Sequence, residues 1–384
     1  MNSTMQNKQN SVEFTSLDTK AIKGIALILM LFHHLAAFPG RYPGDFAGFY
    51  LERYVQEFAA ASMISAPFFC FLGGYGMFLR WKSGKLSITA NIFNLYKSYW
   101  KVFLIYIPIG ILFFSRGTQT AAEFYNLYSF ETVSSMLTAV ISDFLGLTCE
   151  LNLEWWFLKF YVCTTLMGLI FCQIIRKSRN FWGDLMLLLA WHVFTGSVLP
   201  GLTAIPVFSG LKADFLYMAF FRRTDFSNAF LMGIVFAKYD GVRRIKQMLL
   251  ESPCSSVVCV GFLGILAWSR TYILGGEADL VYCGVLVPLI SVLLDRMVPV
   301  KRSLVYLAKH STNIWFIHSF YCYYYPEVAR VVYGTRNVVA DLLILIVMSL
   351  VSSIILEWFY AHLGSVLNWL QKKRRSGKEE TLCS

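Results

Sequence analysis

The chain has 384 residues, a mean hydropathy of +0.54 and a net charge of +11, with 57% hydrophobic and only 15% charged residues. A soluble domain carries about 25% charged residues, so this composition excludes an ordinary soluble enzyme and points to a polytopic membrane protein. The basic excess does not point to nucleic acid, because the lysines and arginines cluster at the ends of apolar runs.

Residues 1–19, rich in Asn, Ser, Thr and Gln, predict a disordered cytoplasmic tail. The first apolar run, roughly 21–38, carries Lys20 and Lys23 at its start and His33 and His34 deep inside. Its leader is only weakly basic and two histidines interrupt it, so we read it as a retained span and not a cleaved signal. Further spans are expected near 65–80, 99–115, 155–175, 181–199, 219–237, 255–273, 279–294, 303–322 and 337–360. Each suits the roughly 20 residues that a spanning helix needs. The runs are too long for strands and lack their period-two alternation. The expected fold is therefore all-α, a polytopic membrane bundle of about ten transmembrane helices. Residues 20–365 form its membrane domain and 366–384 a basic cytoplasmic tail.

Most of the 34 lysines and arginines fall on alternate connections and on the two tails. Positive residues favour the cytoplasmic side, which places both termini there. The opposite face is richer in acids and aromatics. Its longest segment, 116–154, holds Glu123, Tyr125, Tyr128, Glu131, Asp143, Glu150 and Glu154, and a long loop on one side of a bundle is a common binding element.

Ionisable groups inside a membrane usually face a site or a partner. Lys23 and His34 are eleven residues apart, so on a helix they lie about 20° apart in direction and about 16 Å apart in depth. His33 points about 100° away. His318 lies at a depth similar to that of His34, about 20–22 Å from the cytoplasmic face in a different span. Two histidines at matched depth suit removal of a proton from a hydroxyl. His33, His192, His310 and His362 lack that arrangement and are expected to be structural. Lys23, Arg80, Lys82, Lys97 and Lys101 crowd the cytoplasmic mouth, where they suit the phosphates of a cytosolic donor. Arg222 and Arg223, at the start of the sixth span, suit an anionic or sugar substrate and equally suit anchors at the membrane interface. The nine cysteines show no CxxC pair and no metal-ligand spacing. Gly73-Gly74-Tyr75-Gly76 lacks the setting of a phosphate loop and reads as a place where helices pack closely.

Four segments carry a family resemblance. Lys23…His34 resembles the basic-x10-His signature in the first span of the membrane acyltransferase family 3, which includes O-antigen and exopolysaccharide O-acetyltransferases. Pro67-Phe68-Phe69-Cys70-Phe71-Leu72-Gly73-Gly74-Tyr75 is similar to its FF-x-x-SGY second span, with Gly73 where Ser is common. Leu153-Glu154-Trp155-Trp156-Phe157-Leu158 resembles its WFL entry to the fourth span. His310-Ser311-Thr312-Asn313-Ile314-Trp315-Phe316-Ile317-His318 is similar to its S-x-x-I-Y-x-x-H segment. The family's Arg-x-x-Arg after the second span is not present, and Lys97 and Lys101 are the nearest basic pair.

The resemblance implies acetyl-CoA as a cytoplasmic donor and transfer of its acyl group to a glycan or glycolipid acceptor, with no permanently bound cofactor and no metal. His34 and His318 are then the catalytic candidates. Lys23, Arg80, Lys97 and Lys101 would hold the donor, and Glu154, Trp156 and Arg223 would line the acceptor side. The expected location is the cell membrane, within the lipid bilayer. The alternative is a multi-span transporter or glycan flippase. Inverted repeats would favour it, but the first-span signature does not recur near the sixth.

Overall fold

The computed structural model describes residues 12–41, 50–114, 130–178, 180–213, 215–252 and 254–382. Among them the chain is helical, with no strand. The expectations for residues 1–11, and for Glu123, Tyr125 and Tyr128, lie outside the described residues.

Helix α1 (Ser16–Ala36) runs through the centre of the bundle. It opens with a capping box: the Asp18 amide donates to Thr15 Oγ1 at 3.3 Å, and the Thr15 amide donates to Asp18 Oδ2 at 2.7 Å. Asp18 also meets Lys301, and Asp295 takes Lys246 at 2.9 Å and Lys301 at 2.6 Å. These groups are largely buried, and a paired buried charge is far cheaper than a lone one. The expected tail boundary at residue 19 is therefore corrected. Residues 16–19 form the first turn of α1, because the capping box satisfies amides that would otherwise stay open and the ion pair to Lys301 holds the Asp18 carboxylate.

After a short helix α2 (Arg53–Ala61), α3 (Ser65–Lys82) and α4 (Ile88–Phe113) follow. Helix α5 (Val133–Phe144) leads through a loop to α6 (Trp156–Ile175) and then α7 (Phe181–Val193). Two short turns, α8 (Leu199–Ala204) and α9 (Phe215–Ala219), precede α10 (Thr224–Lys238) and α11 (Gly241–Glu251). The bundle is completed by α12 (Ser255–Ser269), α13 (Asp279–Arg296), α14 (Val298–Lys309), α15 (Ser311–Ser319), α16 (Pro326–Val332) and α17 (Val338–Leu382). Helix α17 carries the expected basic tail onward as helix to Leu382.

Six stretches among the described residues are long and apolar enough to cross a membrane: Ser16–Ala36, Arg53–Lys82, Leu153–Ile175, Phe181–Ala204, Ser255–Arg296 and Val338–Val366. The fifth contains two of the expected spans, joined by a π-turn at Arg270–Leu274. The third expected span lies on α4, which Lys97 and Lys101 interrupt. The sixth lies on α10, only 15 residues long. That helix is buried almost all round, so it need not present a long apolar face to lipid. By contrast, Val339, Leu343, Val347, Val351, Ile355 and Trp358 of α17 lie exposed at helical spacing, as a lipid-facing stripe requires.

Helices α3 and α10 pack most intimately, at Gly74 and Gly233. A methyl group on Gly74 would run into the carbonyl of Phe230, and one on Gly233 into the carbonyl of Phe71. Each glycine thus meets the carbonyl three residues before the other, the reciprocal pattern of two helices running parallel. Gly24 of α1 makes the same kind of approach to Leu304 of α14. With no hydrophobic drive between helices in lipid, close backbone contact of this kind supplies the packing energy.

Candidate active site

A cavity of about 890 Å³ runs beside α1. At one end it is lined by Lys23, Arg80, Asn91, Asn94 and Ser98. Met30, Ala66, Phe69, Phe157 and Trp315 line the apolar stretch between. His33, His34, Arg41, Glu154, Trp156, Arg222 and Arg223 surround the other end. Eleven residues of α1 separate Lys23 from His34, so the two ends stand about 16 Å apart.

The His34 end is built by three chain segments. His34 sits in the last turn of α1. Its carbonyl accepts the Tyr323 hydroxyl, and the carbonyl of Leu35 accepts that of Tyr333 at 3.4 Å. Tyr323 lies in a π-turn (Phe320–Tyr324) that follows α15; such turns often mark functional positions.

Glu154 lies in a 3-10 turn that begins α6. Asn152 caps it, its Oδ1 accepting the Glu154 amide at 3.1 Å. Asn152 is itself fully buried and exchanges hydrogen bonds with Ser319 at 2.8 and 3.1 Å. The Leu153 amide donates to Tyr324 at 3.1 Å, and the Trp155 indole donates to the Phe316 carbonyl at 3.1 Å. The strand of contacts from 152 to 155 is thereby pinned onto the segment that carries His318.

His34 Nε2 lies 3.6 Å from Glu154 Oε2, and Arg41 Nη1 lies 2.6 Å from Glu154 Oε1. Arg41 also stacks over Phe38, 4.2 Å from the ring centre. The rings of His34 and His318 are 4.7 Å apart. His318 Nδ1 lies 2.7 Å from the Trp315 carbonyl. A carbonyl only accepts, so this nitrogen carries the proton in the neutral ring and Nε2 keeps its lone pair. His318 Nε2 and His34 Nδ1 are both buried without a hydrogen-bond partner. No hydrogen bond joins these two nitrogens; a proton on His34 Nδ1 would leave His34 Nε2 free to take a proton beside Glu154.

The structure gathers Lys23, Arg80, His34, Glu154, Trp156 and Arg223 around one cavity. His318 backs onto His34 without lining it. Lys97 and Lys101 do not line it either. Asn91, Asn94 and Ser98 form the stripe of α4 that does, and the two lysines fall on the neighbouring stripe, with Lys101 5.5 Å from the Tyr360 ring. Among the other histidines, His33 Nδ1 meets the Ala59 carbonyl at 2.7 Å, His192 meets Asn228 at 2.8 Å and His310 meets Ser353 at 3.0 Å. Sequence reasoning missed Arg41, which ends a single 3-10 turn (Pro39–Arg41) too short to give a helical phase that would place it. It also missed Asn152, although Asn two residues ahead of Glu is an ordinary capping pattern.

The sequence model of one family, described as an acyltransferase domain, matches residues 16–358. No curated protein and no solved structure matches the chain. The chain belongs to acyltransferase family 3.

Proposed function

From this membership, and from the membrane character of the helices, we propose that the protein is an integral membrane O-acyltransferase. It moves an acetyl or other acyl group from cytoplasmic acyl-CoA, with acetyl-CoA as the expected donor, to a hydroxyl of a surface polysaccharide or lipid-linked glycan. In this reading about ten helices span the cell membrane and both termini are cytoplasmic. One observation carries the proposal: a single cavity joins the cations Lys23 and Arg80 to the histidine His34. A long, thin thioester arm whose phosphates rest at the Lys23 end would bring its carbonyl to the His34 end, about 16 Å away. Acyl transfer needs this separation of a phosphate grip from a base; passive transport does not.

The chemistry follows from the site. His34 Nε2 takes the proton of the acceptor hydroxyl as that oxygen attacks the thioester carbonyl carbon. The C–S bond then breaks, and the thiolate of coenzyme A leaves with the proton that His34 returns. Glu154, 3.6 Å from Nε2, stabilises the imidazolium while it exists. Arg41 holds the second oxygen of Glu154. His318 fixes the tautomer of His34. Lys97 and Lys101, on the neighbouring stripe of α4, contribute only long-range positive charge to the donor.

The test is mass spectrometry of surface glycans from cells with and without the gene, paired with acetyl-CoA consumption by the purified protein in proteoliposomes. Loss of one O-acyl substituent in the deletion strain is the expected result. Unchanged glycans together with no acetyl-CoA consumption would overturn the proposal.

A further inference from the structure

Six lysine and arginine side chains line the cavity, against one carboxylate, Glu154. Lys23 and Arg80 belong to the donor end. Arg41 is engaged by Glu154, and Lys159 donates to the Leu147 carbonyl at 3.2 Å. Arg222 and Arg223 remain, at the His34 end. Arg223 is half-buried, its guanidinium 4.7 Å from the centre of the Trp156 ring, and Asp225 partly offsets its charge. Arg222 is exposed at the mouth and makes no hydrogen bond or ion pair among the described residues.

A neutral sugar does not require this. Its hydroxyls are served by amides, carboxylates and aromatic faces, and cations beside a membrane-embedded cavity carry a desolvation cost. An oxyanion offsets that cost, and the arginine fork matches carboxylate and phosphate alike. Arg222 and Arg223 lie in a single 3-10 turn (Phe221–Arg223) that leads directly into α10, and the Gly74–Gly233 crossing fixes that helix, so the pair is held next to a rigid element.

We infer that the acceptor is anionic: Arg222 and Arg223 hold a carboxylate or phosphate close to the hydroxyl that receives the acyl group. This rests on the reading of the His34 end as the acceptor side. Two sources share the chemistry, an acidic sugar within the glycan and the phosphate of a lipid-linked precursor.

The experiment measures binding to the full-length protein in nanodiscs. The probes are trigalacturonic acid against maltotriose, and farnesyl diphosphate against farnesol, with acetyl-CoA measured separately. At least one anionic probe is expected to bind more tightly than its neutral counterpart. Tight binding of trigalacturonic acid assigns the anion to the sugar, and tight binding of farnesyl diphosphate assigns it to the lipid carrier. Arg222→Gln with Arg223→Gln should weaken that probe about tenfold or more, the loss expected for charge-assisted hydrogen bonds. Acetyl-CoA binding should be unchanged, which also reports a folded protein, and the double Lys replacement should recover only part of the affinity, the part owed to charge without the fork. Equal binding of charged and neutral probes would overturn the inference. So would loss of anion binding in Lys23→Gln but not in the arginine variant, since the anion would then occupy the donor end. Failure of acetyl-CoA to bind the wild-type protein would count against the proposed donor alone, because the probes are read without it.

Discussion

The imidazoles of His34 and His318 lie tilted against each other with ring centres 4.7 Å apart, and each carries a buried nitrogen without a hydrogen-bond partner, Nδ1 of His34 and Nε2 of His318. His318 is anchored from behind by the Trp315 carbonyl, so its free nitrogen is an acceptor. This arrangement makes His318 a positioning residue. His318→Ala should lower kcat about tenfold or more, because a general base in the wrong tautomer cannot accept at Nε2. His318→Gln, whose side-chain carbonyl can still accept, should retain more activity than Ala. Rates in proteoliposomes, normalised to folded protein, check this. Equal kcat for wild type and the Ala variant would remove His318 from the mechanism.

His33 and His34 are neighbours with opposite expectations. His34 stands beside Glu154, whereas His33 is tied to the Ala59 carbonyl and anchors α1 to the end of α2. His34→Ala should cut acylation about 10²–10⁴-fold, the usual contribution of a general base. His33→Ala should keep much of the activity and lose stability of about 0.6 kcal/mol, up to about 1.7 kcal/mol. Acylated glycan per unit of membrane protein, with a thermal melt of each variant, separates the two effects. Loss of activity in His33→Ala alone would move the chemistry to the other nitrogen ring.

The contrast between these residues shows what was readable in advance. Helical phase and rise put Lys23 and His34 on one stripe, and the structure has both on one cavity wall. Depth counting set His34 level with His318, and their rings touch. Phase also separates Lys97 and Lys101 from Asn91, Asn94 and Ser98, but reading positive charge alone made the lysines the stronger donor candidates. Arg41 escaped because a single 3-10 turn is too short to show a period. Burial of α10 was also hidden: its apolar composition looks the same whether lipid or protein surrounds it. Gly74 was legible as a packing position, yet its partner Gly233 was not, since nothing local in either helix names the other.

The donor end offers a direct comparison between two lysines. Lys23 lines the cavity, whereas Lys101 lies off it against Tyr360. Lys23→Ala should raise KM for acetyl-CoA more than KM for the acceptor, with kcat changed less, as expected when binding common to ground and transition states is lost. One charge-assisted contact corresponds to roughly a tenfold effect or somewhat more. Lys101→Ala should change the donor KM less. If both substitutions left it unaltered in proteoliposomes, the donor phosphates would have to rest elsewhere.

The α3–α10 crossing yields a prediction about stability that needs no assumption about activity. Gly74 and Gly76 are two residues apart in one helix, with the same propensity and similar depth. A methyl group on Gly76 meets nothing within 4 Å, whereas one on Gly74 collides with the backbone of Phe230. Backbone cannot rotate away as a side chain can, so Gly74→Ala must push α10 off α3. The cost should be at least about 1–3 kcal/mol, typical of overpacking, and larger for Gly74→Val. Gly76→Ala should be neutral, or stabilising by about 0.5–1 kcal/mol through the lower entropy of the unfolded chain. Gly233→Ala should resemble Gly74→Ala, because it strikes the Phe71 carbonyl from the other side. Thermal unfolding in detergent, followed by accessibility of buried Cys70 to a thiol reagent, reads all three. Cys70 lies one residue from Phe71 and is fully buried, so separation of the helices should expose it at a lower temperature in the Gly74 and Gly233 variants. Identical melting of Gly74→Ala and Gly76→Ala would mean that the two helices are not packed through these glycines.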